Sequence, residues 1–581
     1  MGGDAGTTPP SWHALDLEEH PIDIPKSIKV VVVGAGITGI NAAILLPAKV
    51  PGIELVVFER DPDVGGIWNQ CIYPGVRCDV PSHVYQSTFS PSRDWSEHYA
   101  QGAEIKSYWA QVAAKYNAYR YIRLNHEVKS ASWDEDRAKW AVTVQNSSDT
   151  WVEEADFFIM ATGVFSHPQL PKYPGMTEYE GHLSHSSRWD PDFNPAGKRI
   201  AIIGNGSSGM QVLPQLQRVA ARIDHYARSP AWIAGNFGGV DGQPGERIPE
   251  ELRTAFSDPE AYLQYRKSIE NRSFKGFGSI VKDGIQSQQS RAKFTELMRS
   301  RLGDHTDLLD AILPDFSPSC RRLTPGPGYL EALVEPNVEY ITTPIEKFTK
   351  AGIRTVDGKE RQVDAIVCCT GSEKSFAPPF PVIRGGLDLT SSWRPAGSIG
   401  FPYTYMGLAA PGFPNLLFVN GPQCASATGT LPFATENQLT LVARILRKAS
   451  TQDIRTMAPT RQAADDFQAY CEAYFPRTVL SENCSSWFNG GVKGGRVIAN
   501  WPGSGLHANA VRREPRWEDW EYTYRSVSGN RFAYFGNGWT QKDVQVNRNP
   551  QEEADLTPYL QLASVAGQVD LRGYHETWYD L

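Results

Sequence analysis

One pattern constrains this chain more than any other, and it occurs twice. An apolar run enters a Gly-x-Gly-x-x-Gly turn, and a second apolar run of helical character follows. KVVVVGAGITGINAAILL places Gly34, Gly36 and Gly39; KRIAIIGNGSSGMQVLPQL places Gly204, Gly206 and Gly209. The first glycine permits a tight turn, the second lets backbone approach a pyrophosphate, and the third lets helix pack on strand. The helix that opens at the turn, from Ser207 in the second case, offers free N–H groups and a positive dipole end to phosphates. A lone glycine turn of this kind is weak evidence, so its surroundings must decide.

Those surroundings agree. After the first turn, ELVVFER ends in Glu59, twenty residues beyond Gly39, where an acid binds a ribose diol. After the second, RIDHYARSP puts Arg228 nineteen residues beyond Gly209. An acid here favours a free 2′-hydroxyl and an arginine a 2′-phosphate, so the first site suits FAD or NAD and the second NADP. Arg228 also has a plainer reading, as a solvated end-of-strand charge. EEADFFIMATG and VDAIVCCTG are apolar runs ending in Thr-Gly, and each is expected to close one nucleotide-binding half. The expected fold is α/β, with an FAD domain interrupted by an inserted NADPH domain. Expected boundaries are 1–27 for an N-terminal arm, 28–165 for the first FAD part, 166–371 for the NADPH domain, and 372–581 for the returning FAD part with a C-terminal extension.

Composition narrows the class. A length of 581 residues calls for two or more domains, and 21% charged residues fit a globular chain. A net charge of −8 argues against nucleic acid as the main partner. The glycines and Asn41 interrupt the apolar run 30–46, which reads poorly as a membrane span. No signal peptide is visible at the N-terminus. Eight scattered cysteines without a CxxC suggest reduced thiols and a cytoplasmic setting.

Two dinucleotide sites imply electron traffic, from NADPH to flavin. The segment GGIWNQCIYPGVRCDVPSH refines this, because Cys71 and Cys78 are seven apart, which speaks against a reductase dithiol. It also reads Gly65-Gly66-x-Trp68-x-x-x-x-Tyr73-Pro74-Gly75-x-x-x-Asp79 and so resembles the Baeyer–Villiger monooxygenases, matching their GGxWxxxxYPGxxxD pattern at every fixed position. YEGHLSHSSRWD supplies Gly181, His185, Trp189 and Asp190, similar to the family's FxGxxxHxxxW(P/D) signature with Tyr179 for phenylalanine. His182 and His185 lack a third ligand at metal-site spacing, so no metal is expected.

The resemblance implies a reaction. FAD reduced by NADPH adds O2 to give a C4a-peroxyflavin, which attacks a ketone and leaves an ester or lactone. Such an anion needs a fixed positive charge in a dry site. PSCRRLTPGPGYLEAL then offers Arg322 as the catalytic arginine, and Arg321 near the 2′-phosphate where the family usually has lysine. Asp79 is expected against Arg322, and also at the cofactor with Gly66, Trp68 and Tyr85. Trp487, in NCSSWFNGGVKGGRVIANWPGS, matches a tryptophan that folds over the nicotinamide nucleotide, although the run after it is shorter than in relatives. Asp79 as a turn residue, Arg322 as a surface charge and Trp487 as core remain alternatives. So does a heteroatom-oxidising or hydroxylating flavin monooxygenase. The signature around His185 and Trp189 reads as the joint between the nucleotide domains.

Residues 245–315 turn charged and helix-prone, an expected helical insertion over the cleft with GFGSIVKDG as a flexible lid. A further helix is expected over 435–449, and an aromatic tail from Trp517 is expected to pack on the FAD domain, on a partner subunit, or at the substrate mouth. Insertion and tail together suggest a bulky polycyclic, terpenoid or polyketide ketone, of the sort secondary metabolism makes.

Overall fold

The computed structural model describes residues 17–236 and 242–549, with short stretches between 551 and 571. Residues 1–16 of the expected N-terminal arm and most of the tail beyond 549 lie outside the described residues.

The four-valine run forms the strand Ile28–Val33, buried along nearly its whole length because it lies inside a parallel sheet. Helix Ile37–Lys49 follows at once, and strand Ile53–Phe58 returns beside the first, a βαβ unit. Strand Phe157–Met160 pairs on the other side of Ile28–Val33, and Leu416–Phe418, more than 250 residues later, pairs beyond it. The chain therefore leaves this sheet and comes back to it. In between it builds a second parallel sheet around strand Arg199–Ile203, flanked by Arg222–Tyr226 and Ala365–Cys368.

The signature segment contributes more than a joint. His182–His185 is an edge strand of the second sheet, in register with Ala365–Cys368. Gly181 is required there, since a Cβ would stand 2.2 Å from the Tyr179 hydroxyl, which donates to the Val363 carbonyl at 3.0 Å. His182 stacks on Phe193 with ring centroids 4.2 Å apart, and Trp189 meets the same ring edge-on at 5.8 Å.

The insertion is helical: Glu250–Ala255, Pro259–Lys275, Ile285–Leu302 and Thr306–Ile312. Pro259 at the first turn and the Asp258 side chain, which accepts from the Glu260 N–H, start the second of these. The expected loose lid is instead a 3₁₀ turn, Gly276–Ile280, anchored because Ile280 is buried in an apolar cluster with Phe475 and Val479. A helix over Leu431–Thr451 covers the expected zone. Trp520–Tyr524 pairs antiparallel with Ile454–Pro459, so the start of the tail is stitched to the body. Among the described residues the tail beyond Trp517 supplies no side chain to the cleft lining.

The cysteine expectation needs correction. Folding brings Cys320 and Cys484 to a Cα separation of 6.4 Å, and they form a disulfide. A pairing across 164 residues leaves no mark in local spacing. The other six cysteines are free and buried.

Candidate active site

Both glycine turns open into one cleft of about 1820 Å³, which exceeds the roughly 300–1000 Å³ of a pocket for a single ligand. Gly34 adopts φ +100°, and a Cβ on it would lie 2.7 Å from the Ala161 carbonyl oxygen. Gly204 repeats this with φ +105° and the Cys369 carbonyl at 2.5 Å. Both Thr-Gly strand ends therefore press against the glycine turns, leaving bare backbone at the start of each helix. At Gly206 a Cβ would meet nothing within 4 Å, while Gly36 faces Gly66 across the cleft wall. Bare backbone with N–H groups at a helix N-terminus could hold a pyrophosphate.

Glu59 is buried with 6% exposure. Its carboxylate accepts from the Ala35 N–H at 2.6 Å and the Asp61 N–H at 2.9 Å, which holds the first glycine turn against the second strand. Burial pushes its carboxyl up, and these N–H groups oppose the shift. Each carboxylate oxygen keeps a lone pair for a ribose hydroxyl. On the second half, Arg228 is exposed at the cleft, and Arg321 lines the same space while donating to the Pro230 carbonyl at 3.1 Å. Burial, and then the charge of Arg228, lower the Arg321 guanidinium. Ser207 meets Thr324 hydroxyl to hydroxyl at 3.1 Å, tying the second turn to the segment that carries both arginines.

At the floor between the two halves, Arg322 forms a fork with Asp79: Nε to Oδ2 and Nη2 to Oδ1, each 2.8 Å. Asp79's charge, ahead of any other influence, holds the guanidinium above arginine's ordinary value. The side chain is 39% accessible, yet that surface faces the cleft and protein encloses the rest. Nη1 takes no part in the fork, and Arg322 lines the cleft. Trp68 and Tyr85 complete this wall, with Trp68 Nε1 donating to the Tyr85 hydroxyl at 3.3 Å.

The segment 65–79 also latches the halves together. The Tyr73 hydroxyl donates to Gln211 Oε1 at 2.8 Å, and Gln211 donates back to the Arg77 carbonyl at 3.1 Å. Gly75, at φ +85°, approaches so closely that a Cβ would stand 2.6 Å from the Gln211 carbonyl oxygen. Asp79, Tyr73 and Gly75 thus all touch residues of the second half. His185 lies where its strand meets the cleft, its Nδ1 paired with the Ser187 hydroxyl at 2.8 Å, and Trp189 stands outside the cleft lining. Trp487 lines the cleft between Phe165, edge-on at 5.2 Å, and Phe376, stacked at 6.3 Å. Ile280 and Phe294 from the insertion, and Leu480 from outside it, add apolar side chains to the cleft lining. The sequence reading missed Lys374, Gln211 and the Cys320–Cys484 bond, all of which join segments far apart in the chain.

A flavin-binding monooxygenase-like family profile matches residues 27–248. An FAD-binding monooxygenase of Aspergillus terreus, tazF, is 36% identical over 92% of this chain and 95% of its own. The chain belongs to the flavin-binding monooxygenases. Its relatives within that family include a Baeyer–Villiger monooxygenase of Streptomyces coelicolor, 30% identical over 86% of this chain and 93% of that one. Among solved structures, an oxidised steroid monooxygenase bound to NADP superposes with a TM-score of 0.70 at 26% identity, covering 84% of this chain and 97% of that one. A closed cyclohexanone monooxygenase shares the fold, with a TM-score of 0.73 at 24% identity over 86% and 100% of the two chains. As a monooxygenase of the Baeyer–Villiger type, the chain is an enzyme, with the two parallel sheets that its sequence implies. Among the described residues no helix is long and apolar enough to cross a membrane.

Proposed function

We propose that this monooxygenase binds FAD at the Gly34–Glu59 half and NADPH at the Gly204–Arg228 half, and inserts one oxygen of O2 next to a ketone carbonyl to give an ester or lactone. The observation that carries the reading is the Arg322–Asp79 fork, set at the floor of one cleft between both glycine turns. Bound FAD would accept two electrons from NADPH and use them to activate O2 for transfer. The chain's own part is charge and exclusion. Asp79 engages one edge of the guanidinium through Nε and Nη2, which fixes the plane of the group and leaves Nη1 outside the fork. When oxygen adds to a carbonyl, negative charge collects on oxygen atoms at the cleft floor. A preoriented N–H donor stabilises that charge without reorganising. Apolar side chains in the cleft lining, Ile280, Phe294 and Leu480 among them, reduce the water in the cleft and so strengthen such an interaction.

The size of the cleft and its insertion helices support a bulky polycyclic, terpenoid or polyketide ketone. The cytoplasmic setting expected from reduced thiols loses that support through the Cys320–Cys484 bond. The test is oxygen transfer from isotopically labelled O2 to a panel of ketones and sulfides. Ester carrying one labelled oxygen from a ketone, lost in Arg322→Ala while both nucleotides still bind, is the expected result. Ketones left untouched while sulfides or amines are oxidised would overturn it.

A further inference from the structure

Arg228 and Arg321 are not the whole of the positive charge in the second nucleotide pocket. Lys374, three residues past the Gly371 turn that ends strand Ala365–Cys368, lines the same cleft and is half-buried. Its direction is fixed by the backbone around it. Gln169 N–H donates to the Gly371 carbonyl at 2.9 Å, and Glu373 N–H donates to the His167 carbonyl at 2.9 Å, so the 166–169 linker braces this turn. Among the described residues none of these cations is ion-paired, and the charge of Glu373 is the weakest of the influences reaching Lys374. A cluster of like charge with two half-buried members, Arg321 and Lys374, and no partner acid is costly unless an anion joins it.

Lys374 also touches the loop that carries Trp487. Its Cδ lies 3.0 Å, and its Nζ 3.5 Å, from where a Cβ on Gly491 would sit, so the bare glycine makes room for the lysine stem. Two residues on, Phe376 stacks on Trp487. One short segment therefore reaches the cation cluster with its lysine and the tryptophan loop with both side chains.

We propose that Lys374 is a further cation of the receptor for the 2′-phosphate of NADPH, and that its contact with Gly491 couples phosphate binding to seating of the 485–491 loop. This rests on the NADPH reading of the second pocket. Three cations would face a group of charge near −2. Burial, then Arg228 and Arg321, already pull the Lys374 ammonium below its ordinary value, a shift that a dianion among the three would reverse. The sequence places Lys374 in no nucleotide motif; only the strand Ala365–Cys368 of the second sheet brings it here.

The test uses the FAD-loaded enzyme, titrated calorimetrically with NADP+ and with NAD+, as wild type, Lys374→Met and Arg228→Met. Methionine keeps the stem that packs on Gly491. Lys374→Met is expected to weaken NADP+ about tenfold or more and to change NAD+ by less than about twofold, which also shows the variant folded. If the NADP+ preference survives in Lys374→Met but collapses in Arg228→Met, the role of Lys374 is overturned and the NADPH reading stands. If the wild type itself does not discriminate and Arg228→Met changes nothing, the NADPH reading fails and the proposal with it. Trypsin reads the loop at Lys493 and Arg496. Saturating NADP+ should slow cleavage there in the wild type and much less in Lys374→Met; equal protection in both would overturn the coupling.

Discussion

Replacing Cys484 by serine should lower stability and loosen nucleotide binding together, because the disulfide joins two functional segments. Cys320 stands immediately before Arg321 and Arg322, and Cys484 stands three residues before Trp487. The bond spans 164 residues. Constraint of an unfolded loop of that length amounts to about 5 kcal/mol by the chain-entropy relation, and native disulfides typically deliver about 2–4. A loss of about 2–5 kcal/mol is therefore expected in urea unfolding of the oxidised FAD-loaded enzyme, with Cys484→Ser matching the wild type under a strong dithiol reductant. Cys484 is 1% exposed and its segment is also held by Glu482, whose carboxylate accepts from the Ser317 N–H at 2.7 Å. The loop should therefore slacken rather than detach. NADP+ should bind several-fold more weakly through Trp487, while flavin content changes little. Alkylation of unfolded, unreduced protein tells whether the bond forms, with six alkylated cysteines expected rather than all eight. Eight modified cysteines, or Cys484→Ser as stable as the wild type without reductant, would refute the reasoning.

Arg322→Ala should cost about 10²–10³-fold in oxygen transfer, the usual loss of one preoriented charge-stabilising donor, with nucleotide affinities nearly unchanged; steady-state ester formation beside NADP+ titration checks it. Gly75→Ala should destabilise by at least about 1–3 kcal/mol, since φ +85° strains any side chain and the Gln211 carbonyl leaves it no space; denaturant midpoints measure this, and a neutral result would mean that the halves are not latched there. His225 is fully buried against the Tyr329 hydroxyl at 2.9 Å, and burial lowers its imidazole to about 4. The unfolded chain takes up a proton below about pH 6.5 that the native chain refuses, so this residue favours the fold above that pH and progressively less down to about pH 4. His225→Gln should flatten that part of the stability–pH curve, as unfolding at a series of pH values would show.

The parts legible in the sequence were those whose logic is local. The Gly34 and Gly204 turns, each followed by a helix and a second strand, announce themselves because tight turn, phosphate approach and packing all fall within a few residues. Glu59 was legible as an acid at the right spacing, although its hold on the Ala35 N–H was not. What escaped depended on tertiary approach. Cys320 and Cys484 look like unrelated thiols until a sheet crossing brings them together, and Lys374 looks like any surface lysine until its strand takes its place beside Arg199–Ile203. The segment 179–190 shows both at once. Its spacing is a recognisable signature, while its strand His182–His185 is too short, and too mixed in polarity, to stand out by alternation.

The charge proposed for catalysis is a property of the junction between the halves rather than of either half. Asp79 comes from the segment that follows the first βαβ unit, and Arg322 from the segment beside the second glycine turn. The fork closes only when the halves dock, and the same short segment that supplies Asp79 supplies the docking contacts through Tyr73 and Gly75. Separation of the halves would break a part-buried ion pair and strand Asp79, its less exposed partner, and breaking such a pair costs more than its formation contributes. That asymmetry gives the signature's Tyr73 and Gly75 a positioning part, since their contacts with Gln211 hold the segment that carries Asp79 against the half that carries Arg322. It follows that Tyr73→Phe, which keeps the ring and removes only the donor to Gln211, should leave both nucleotides bound yet reduce oxygen transfer, because it loosens the seat of the arginine. Equal transfer in Tyr73→Phe and the wild type, at saturating NADPH, would show that Asp79 and Arg322 hold each other without the latch.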